Sequence, residues 1–327
     1  MDTATHFVMG VTIGGVATLD PAIAASPTSV QGIMIAAIVA SQVPDIDTIL
    51  KLQNNAKYIR NHRGITHSIP AVLSWSILVS LLVAFFFPTM PFLHLWLWTL
   101  LAVVLHVVVD IFNAYGTQAL RPFSNKWIAL GVINTFDPII FSIHAVASAF
   151  ILFRVNVGPI ALTAYILTIA YYIIRIFQKQ RLVARIHAKF PNVEHISVSP
   201  AISLRQYHIA IVSKSHYYVG KSVRKKLILL DTFERVPIPN NDIIHAARKD
   251  ENIAAFLSFS PVYRWDIFEY DDSYEVRFID LRYRTKDSHY PFVAIVHLDK
   301  ELRTLNSYTG WIFSEEKLKK KLDLAAN

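Results

Sequence analysis

Ile69-Pro70-Ala71-Val72-Leu73-Ser74-Trp75-Ser76-Ile77-Leu78-Val79-Ser80-Leu81-Leu82-Val83-Ala84-Phe85-Phe86-Phe87 runs for 19 positions without a charged side chain, and 92–109 runs for 18. Each approaches the roughly 20 residues that carry a helix across a bilayer core. Pro88-Thr89-Met90-Pro91 between them reads as a tight turn, so the two runs form an antiparallel hairpin of spans. Trp96 and Trp98, near the start of the second run, suit the headgroup level. Two further spans are expected at 138–153 and 157–177, separated by Arg154-Val155-Asn156. Upstream, 5–19 and 30–43 are apolar but shorter than a comfortable span. With Pro21 and Pro27 between them they read as a helical hairpin dipping into the membrane or packed on the bundle. Gly10-x-x-x-Gly14 permits close helix contact there. Asp2, with no Lys or Arg before the first apolar run, argues against a cleaved signal peptide.

The remaining composition agrees. Of 327 residues only 17% are charged and 53% are hydrophobic, with a net charge of +8. An average soluble domain carries about 25% charged residues. The charge is also unevenly placed: 1–177 holds eight Lys/Arg and six Asp/Glu, against 24 and 18 in 178–327. The expected division is a helical membrane domain over 1–177, a helical linker over 178–195 and a soluble, β-rich domain over 196–327. With no cysteine, disulfide scaffolds, thiolate zinc fingers, iron–sulfur centres and cysteine nucleophiles are excluded. Ten glycines leave little room for a Rossmann or P-loop reading.

Lys and Arg set the expected topology. Lys51, Lys57, Arg60 and Arg63 lie in 44–68, Arg121 and Lys126 in 113–137, and Arg175, Lys179, Arg181 and Arg185 at and beyond the end of the last span. The intervening turns carry only Arg154. The positive-inside tendency places the basic loops and the C-terminal region in the cytoplasm.

Ionisable residues inside apolar segments are costly and mark function by default. His106 and Asp110, four apart on one helix, share a face and can bind one cation, or can be a hydrogen-bonded pair joining helices. In Pro44-Asp45-Ile46-Asp47, two carboxylates two apart can converge on a cation, although Asp47 can equally cap a helix. His62-Arg63-Gly64-Ile65-Thr66-His67-Ser68 offers two imidazoles and a guanidinium beside a helix start, with Ser68 or Thr66 as N-cap. A basic loop touching anionic lipid explains Arg60 and Arg63 but not the histidines. His144 stands alone in a span. In an up–down bundle His6, Asp45, loop 62–68, His106 and Asp110 all fall at one end, the cytoplasmic interface.

In the order Thr5-His6, Gly10, Pro44-Asp45-Ile46-Asp47, His62–Ser68, His106-x-x-x-Asp110, Gly116-Thr117, Pro122-Phe123-Ser124 and Asp137-Pro138, these residues resemble the YdjM-type membrane-bound metal-dependent hydrolases over roughly 1–175. The whole chain is similar to longer, Bacillus-type members with an added C-terminal soluble region. That family is distantly similar to zinc-dependent phospholipase C and P1-type nucleases, helical enzymes that cleave phosphoesters at His/Asp metal clusters. The resemblance implies His6, Asp45, His67, His106 and Asp110 as metal ligands. It implies one or two divalent ions, with Zn favoured and Mn or Fe(II) as alternatives. One ion would be held by Asp45, His67, His106 and Asp110. Asp110 would bridge to a second held by His6 and Asp47. His62, Arg63 and Asp47 then become catalytic candidates, with His62 protonating a leaving oxygen and Arg63 binding a phosphate oxygen. The later His and His-x-x-x-Glu of the distant enzymes have no counterpart here, and Gly116 stands where a ligand would be.

From Ile196 the pattern alternates as strands do, most clearly at 275–284 and 292–298, joined by a polar turn at 286–289. Further strands are expected at 207–212, 217–219 and 227–230, and helices at 240–256 and 314–324. The basic clusters 221–226 and 317–321 fit anionic lipid; with no helix-turn-helix or zinc-finger pattern, nucleic acid is disfavoured. The leading reading is a multi-pass hydrolase of a lipid-like phosphoester in a bacterial cell membrane. The rival is a non-catalytic membrane regulator whose cytoplasmic β domain binds a protein partner. A transporter would need polar residues midway through several spans, where only His144 and a few Ser and Thr qualify.

Overall fold

The computed structural model describes residues 1–190 and 192–326, with side chains placed through Leu322. The chain forms two compact units, one from Met1–Asp47 and Arg63–Arg181, the other from Thr48–His62 and Leu182–Asn327.

The first unit is helical. Asp2 caps α1 (Thr3–Ala17) by accepting from the Thr5 backbone at 3.1 Å. A short α2 (Pro21–Ala24) follows Asp20, and α3 (Pro27–Ala40) starts with proline in its first turn. The small-residue pair does what its spacing suggests. A Cβ on Gly10 would lie 3.0 Å from the Ala37 carbonyl oxygen, and one on Gly14 would lie 3.1 Å from Met34 Cα, so glycine at both positions lets the α1 and α3 backbones approach closely. α3 then bends by 43° into a 3-10 segment, Val43–Leu52. Ser68 caps α5 (Ile69–Phe86) through the Ala71 backbone, and α6 (Phe92–Ile111) returns antiparallel after the proline turn. Ile13, Ile33, Val79, Leu95 and Val103 form the core shared by α1, α3, α5 and α6.

Asp137 and Pro138 start α7 (Pro138–Leu152), and α8 (Val157–Lys189) is one continuous helix of 33 residues. The distribution of spans differs from the sequence expectation. Ile69–Phe86, Phe92–Ile111 and Val157–Lys189 are long and apolar enough to cross a membrane. A fourth candidate is the bent pair Pro27–Ala40 with Val43–Leu52. The expected span at 138–153 is a helix of only 15 residues, because the Asp137 cap fixes its start and Arg154 and Asn156, both with positive φ, follow its end. His144 has partners: Thr12 Oγ1 lies 2.8 Å from its Nδ1 and Thr168 Oγ1 lies 3.0 Å from its Nε2, so one imidazole joins α1, α7 and α8.

The second unit holds α4 (Asn55–Asn61) and two four-stranded antiparallel sheets in sequential order. Sheet one is β1 (Val193–Pro200), β2 (Gln206–Ser213), β3 (His216–Val223) and β4 (Lys226–Glu234). Sheet two is β5 (Tyr263–Glu269), β6 (Ser273–Asp280), β7 (Phe292–Asp299) and β8 (Thr304–Trp311). α9 (Asp242–Lys249) and α10 (Glu251–Phe259) cover one face of sheet two, burying Phe256 against Phe278 and Phe292. Its other face, with Ile279, Val293 and Ile295, packs on Val212 and Val219 of sheet one and on Leu318 of α11 (Glu315–Ala326). Asn55 donates to the Thr309 carbonyl, tying α4 to β8.

The alternating hairpin appears as β6–β7, but its first strand stops at Asp280, where Arg282 turns back to bind that carboxylate. The helix expected over 240–256 is split by Asp250, whose side chain caps α10.

Asp231 of β4 accepts from Arg284 and Tyr290, clamping sheet one to the loop before β7. Burial alone would raise its pKa, but these two bonds outweigh it and hold the carboxyl below its ordinary value. The clamp therefore contributes fully above a pH of about 4 and is lost as acid protonates Asp231. In thermal scans, the fall in the second unit's unfolding midpoint between neutral and acid pH is expected to be smaller in Asp231→Asn than in the unmodified chain.

Candidate metal centre

The centre is built where α1, the 3-10 segment, loop 63–68 and the end of α6 meet within the first unit. His6, His67, His106 and Asp110 are all buried, and Asp110 is fully so. The His6 and His106 rings stack with centroids 3.7 Å apart. His106 Nε2 and His67 Nε2 are 3.3 Å apart, and Asp110 Oδ2 lies 3.6 and 3.4 Å from them. Asp45 Oδ1 completes the group at 3.7 Å from His106 and 3.6 Å from His67. Ligand atoms of His6, Asp45, His106 and Asp110 lie within 4.8 Å of one another, so this group could hold a metal ion.

Partners on the far side of each ring orient the donors. His106 Nδ1 lies 2.7 Å from the Ser41 carbonyl oxygen, which can only accept, so Nδ1 carries the proton and Nε2 presents a lone pair. The Thr66 hydroxyl donates to Asp47 Oδ2 at 2.7 Å and so accepts from His67 Nδ1 at 3.0 Å, leaving His67 Nε2 also as an acceptor. Two lone pairs thus face each other at 3.3 Å. Beside them, Asp45 Oδ1 and Asp110 Oδ2 are buried oxygens that accept no hydrogen bond of good geometry. Four acceptors converging without donors between them match the mixed N/O shell of a divalent cation.

Asp110 divides its oxygens. Oδ2 faces His67 and His106. Oδ1 lies 3.4 Å from His6 Nε2 and touches the Met1 amino group, which is itself 2.9 Å from His6. Arg63 supplies further positive charge, with Nε 3.1 Å from Asp110 Oδ2 and Nη2 donating to the Met1 carbonyl at 2.9 Å.

Asp45 and Asp47 offer oxygens within 4.8 Å of each other but take different partners. In a 3-10 helix of three residues per turn, side chains two apart point about 120° from each other. Asp45 turns to the imidazoles, while Asp47 Oδ2 accepts from the Arg63 backbone at 2.9 Å and from Thr66. Asp47 therefore positions loop 63–66, holding Arg63 at φ 62. His62 belongs to the second unit, its ring stacked on Tyr58 of α4.

Loop 113–128 braces the centre from below. Asn113 Nδ2 reaches Asp110 Oδ1 at 3.4 Å, while its Oδ1 accepts from the backbones of Tyr115 and Gly116. Gly116 has a backbone reason: its φ is +70, and a Cβ there would lie 2.1 Å from the Ile128 carbonyl oxygen. The Gln118 backbone donates to the Arg63 carbonyl at 2.9 Å, and Ile69 to that of Arg121 at 3.2 Å. Ser41, Thr66, Asn113 and the Met1 amine escaped the sequence reading. Asn113, three residues beyond Asp110 on the same helical path, was the one with a usable signal.

The family model described as YdjM inner membrane protein matches residues 1–182, which include all five expected ligands. The chain belongs to the YdjM family. Two further models match beyond that domain, the YfhP middle domain over 191–233 and the YfhP C-terminal alpha/beta plait domain over 242–322. These cover sheet one and the α9–α11 layer with sheet two. The chain is 57% identical, over the full length of both, to "Uncharacterized protein YfhP" of Bacillus subtilis (strain 168). No solved structure matches it. It is thus a longer YdjM-family protein of the Bacillus type, with a helical membrane domain and a β-rich extension.

His106→Ala and Asp110→Asn are expected to abolish metal retained by the detergent-purified protein, read by elemental mass spectrometry, while each stays monodisperse. Thr66→Val keeps every ligand but removes the orienting bond on His67. Its metal affinity should fall about 10–100-fold, measured by chelator competition.

Proposed function

We propose that this YdjM-family protein is a membrane-bound metal-dependent hydrolase acting on a phosphoester carried by a lipid or another amphiphile. The observation that carries the reading is the convergence of His67 Nε2, His106 Nε2, Asp45 Oδ1 and Asp110 Oδ2, all oriented as acceptors. Zn suits that set best, with Mn and Fe(II) as alternatives. A divalent ion bound there would polarise a phosphoryl oxygen and generate hydroxide at neutral pH.

The chain's own residues do the rest. Ser41 and Thr66 hold the proton on Nδ1 of the two imidazoles, leaving the Nε2 lone pairs toward the centre. Arg63 brings a permanent charge and a planar fork suited to phosphate oxygens, and Asp47 fixes its backbone. The amphiphilic substrate is supported by the loop that braces Arg63, which exposes Leu120 and, at 85%, Phe123 between Arg121 and Lys126. Apolar side chains beside cations suit a headgroup boundary. The distribution of Lys and Arg supports a bacterial cell membrane protein with its second unit in the cytoplasm. That unit is then available to a protein partner.

The test is hydrolysis of phosphomonoester and phosphodiester lipids by the full chain reconstituted in nanodiscs with Zn or Mn. Activity is expected in the unmodified protein and loss of at least about 100-fold in His106→Ala and Asp110→Asn. A chain that binds no metal after reconstitution, or hydrolysis unchanged in both variants, would sink the hydrolase reading. Metal bound with no turnover on any phosphoester lipid would leave a metal-holding regulator.

A further inference from the structure

One end of sheet one is built unlike the other. The β1–β2 turn at 201–205 and the β3–β4 turn at Arg224-Lys225 lie side by side there, the Arg224 backbone donating to the Arg205 carbonyl at 2.9 Å. Arg185 of α8 donates to the Lys225 carbonyl at the same end. Stretches 201–208 and 218–230 hold Arg205, Lys221, Arg224, Lys225 and Lys226 and no acidic residue. At the opposite end, by contrast, Arg235 is paired with Glu194. Exposed aliphatic side chains stand among the cations: Ile202 at 63%, with Leu204, Ile228 and Leu229.

The second turn carries an independent sign of purpose. Val223 pairs with Lys226, so Arg224 and Lys225 are the two central residues of a two-residue hairpin, with φ of 47 and 71. Such turns favour Asn-Gly, because both centres need the left-handed region. Two long cations there are a local cost that folding alone does not call for.

We propose that this end of sheet one docks on the anionic lipid surface of the membrane that the first unit enters. Arg205, Arg224, Lys225 and Lys226 lie against headgroup phosphates, and Ile202 and Leu204 enter the boundary beneath them. The tether to a spanning helix makes the encounter intramolecular, so a weak surface suffices. Nucleic acid would use the same cations, but these turns present aliphatic side chains rather than the aromatic platforms on which bases stack.

The chain has no cysteine, so Ser203→Cys provides a single nitroxide site in the first turn and Ser215→Cys one at the opposite end. The full chain is placed in nanodiscs of phosphatidylcholine alone or with phosphatidylglycerol, and accessibility to oxygen and to an aqueous nickel chelate is read by paramagnetic resonance. With phosphatidylglycerol the label at 203 is expected to gain oxygen and lose nickel accessibility, while that at 215 does not change. High salt reverses the shift. Changing Arg224, Lys225 and Lys226 to Gln lowers the docked-to-free ratio about five-fold per cation. Equal accessibility at 203 in both lipids overturns the proposal, as does equal shielding at 215. Stronger shielding of 203 by a random-sequence DNA duplex in phosphatidylcholine discs than by phosphatidylglycerol also overturns it, in favour of nucleic acid.

Discussion

A carboxylate with no solvent exposure, at the end of an apolar helix, is the constraint around which the first unit is arranged. Asp110 stays charged only if cations or donors surround it, since an isolated buried charge costs several kcal/mol or more. The groups around it come from distant parts of the chain: His6 of α1, Arg63 and His67 from the loop before α5, and Asn113 just beyond α6, with Arg63 bringing the positive charge and Asn113 a donor. Each is held in turn by something unrelated to metal. Arg63 depends on Asp47, His67 on Thr66, and the loop beneath them on the Gly116 turn. A single buried charge thus draws three segments together at the end of α6.

Much of this was legible in the residues because long apolar runs and the scarcity of ionisable groups within them are strong signals. The hairpin of α5 and α6, the packing role of Gly10 and Gly14 and the gathering of His6, Asp45, His67, His106 and Asp110 follow from spacing and order. What spacing could not supply was local twist. Which partners two carboxylates two apart take depends on extended or 3-10 backbone, and in the 3-10 segment Asp45 meets the imidazoles while Asp47 holds the loop. The helix expected at 138–153 forms as Pro138–Leu152, held by the Asp137 cap and the turn at Arg154 to 15 residues, shorter than the other apolar helices that could span. His144 looked solitary because its partners, Thr12 and Thr168, are far away in sequence and chemically modest.

The β-rich extension obeyed a different rule. Strict alternation located β6 and β7, whereas strand ends and helix breaks were decided by single side chains finding backbone or charge partners. Asp250 splits a helical stretch by capping its second half, and Arg282 folds back on Asp280 to end a strand. Such choices are local contests between side-chain and backbone hydrogen bonds. The binary pattern of apolar and polar residues carries no record of them.

The order of the donors along the chain has a consequence for how the protein is made. His6, Asp45, His67, His106 and Asp110 all precede residue 112, whereas α7, α8 and both sheets follow. Chains emerge from the ribosome at about 5–20 residues per second, so these donors are made before α7 and α8 exist. The first two-thirds of the membrane helices can therefore assemble their buried carboxylate and its imidazoles while the rest is still being translated. An ion captured at that stage would act as a nucleus for insertion as well as a cofactor, and metal supply would be felt first in biogenesis.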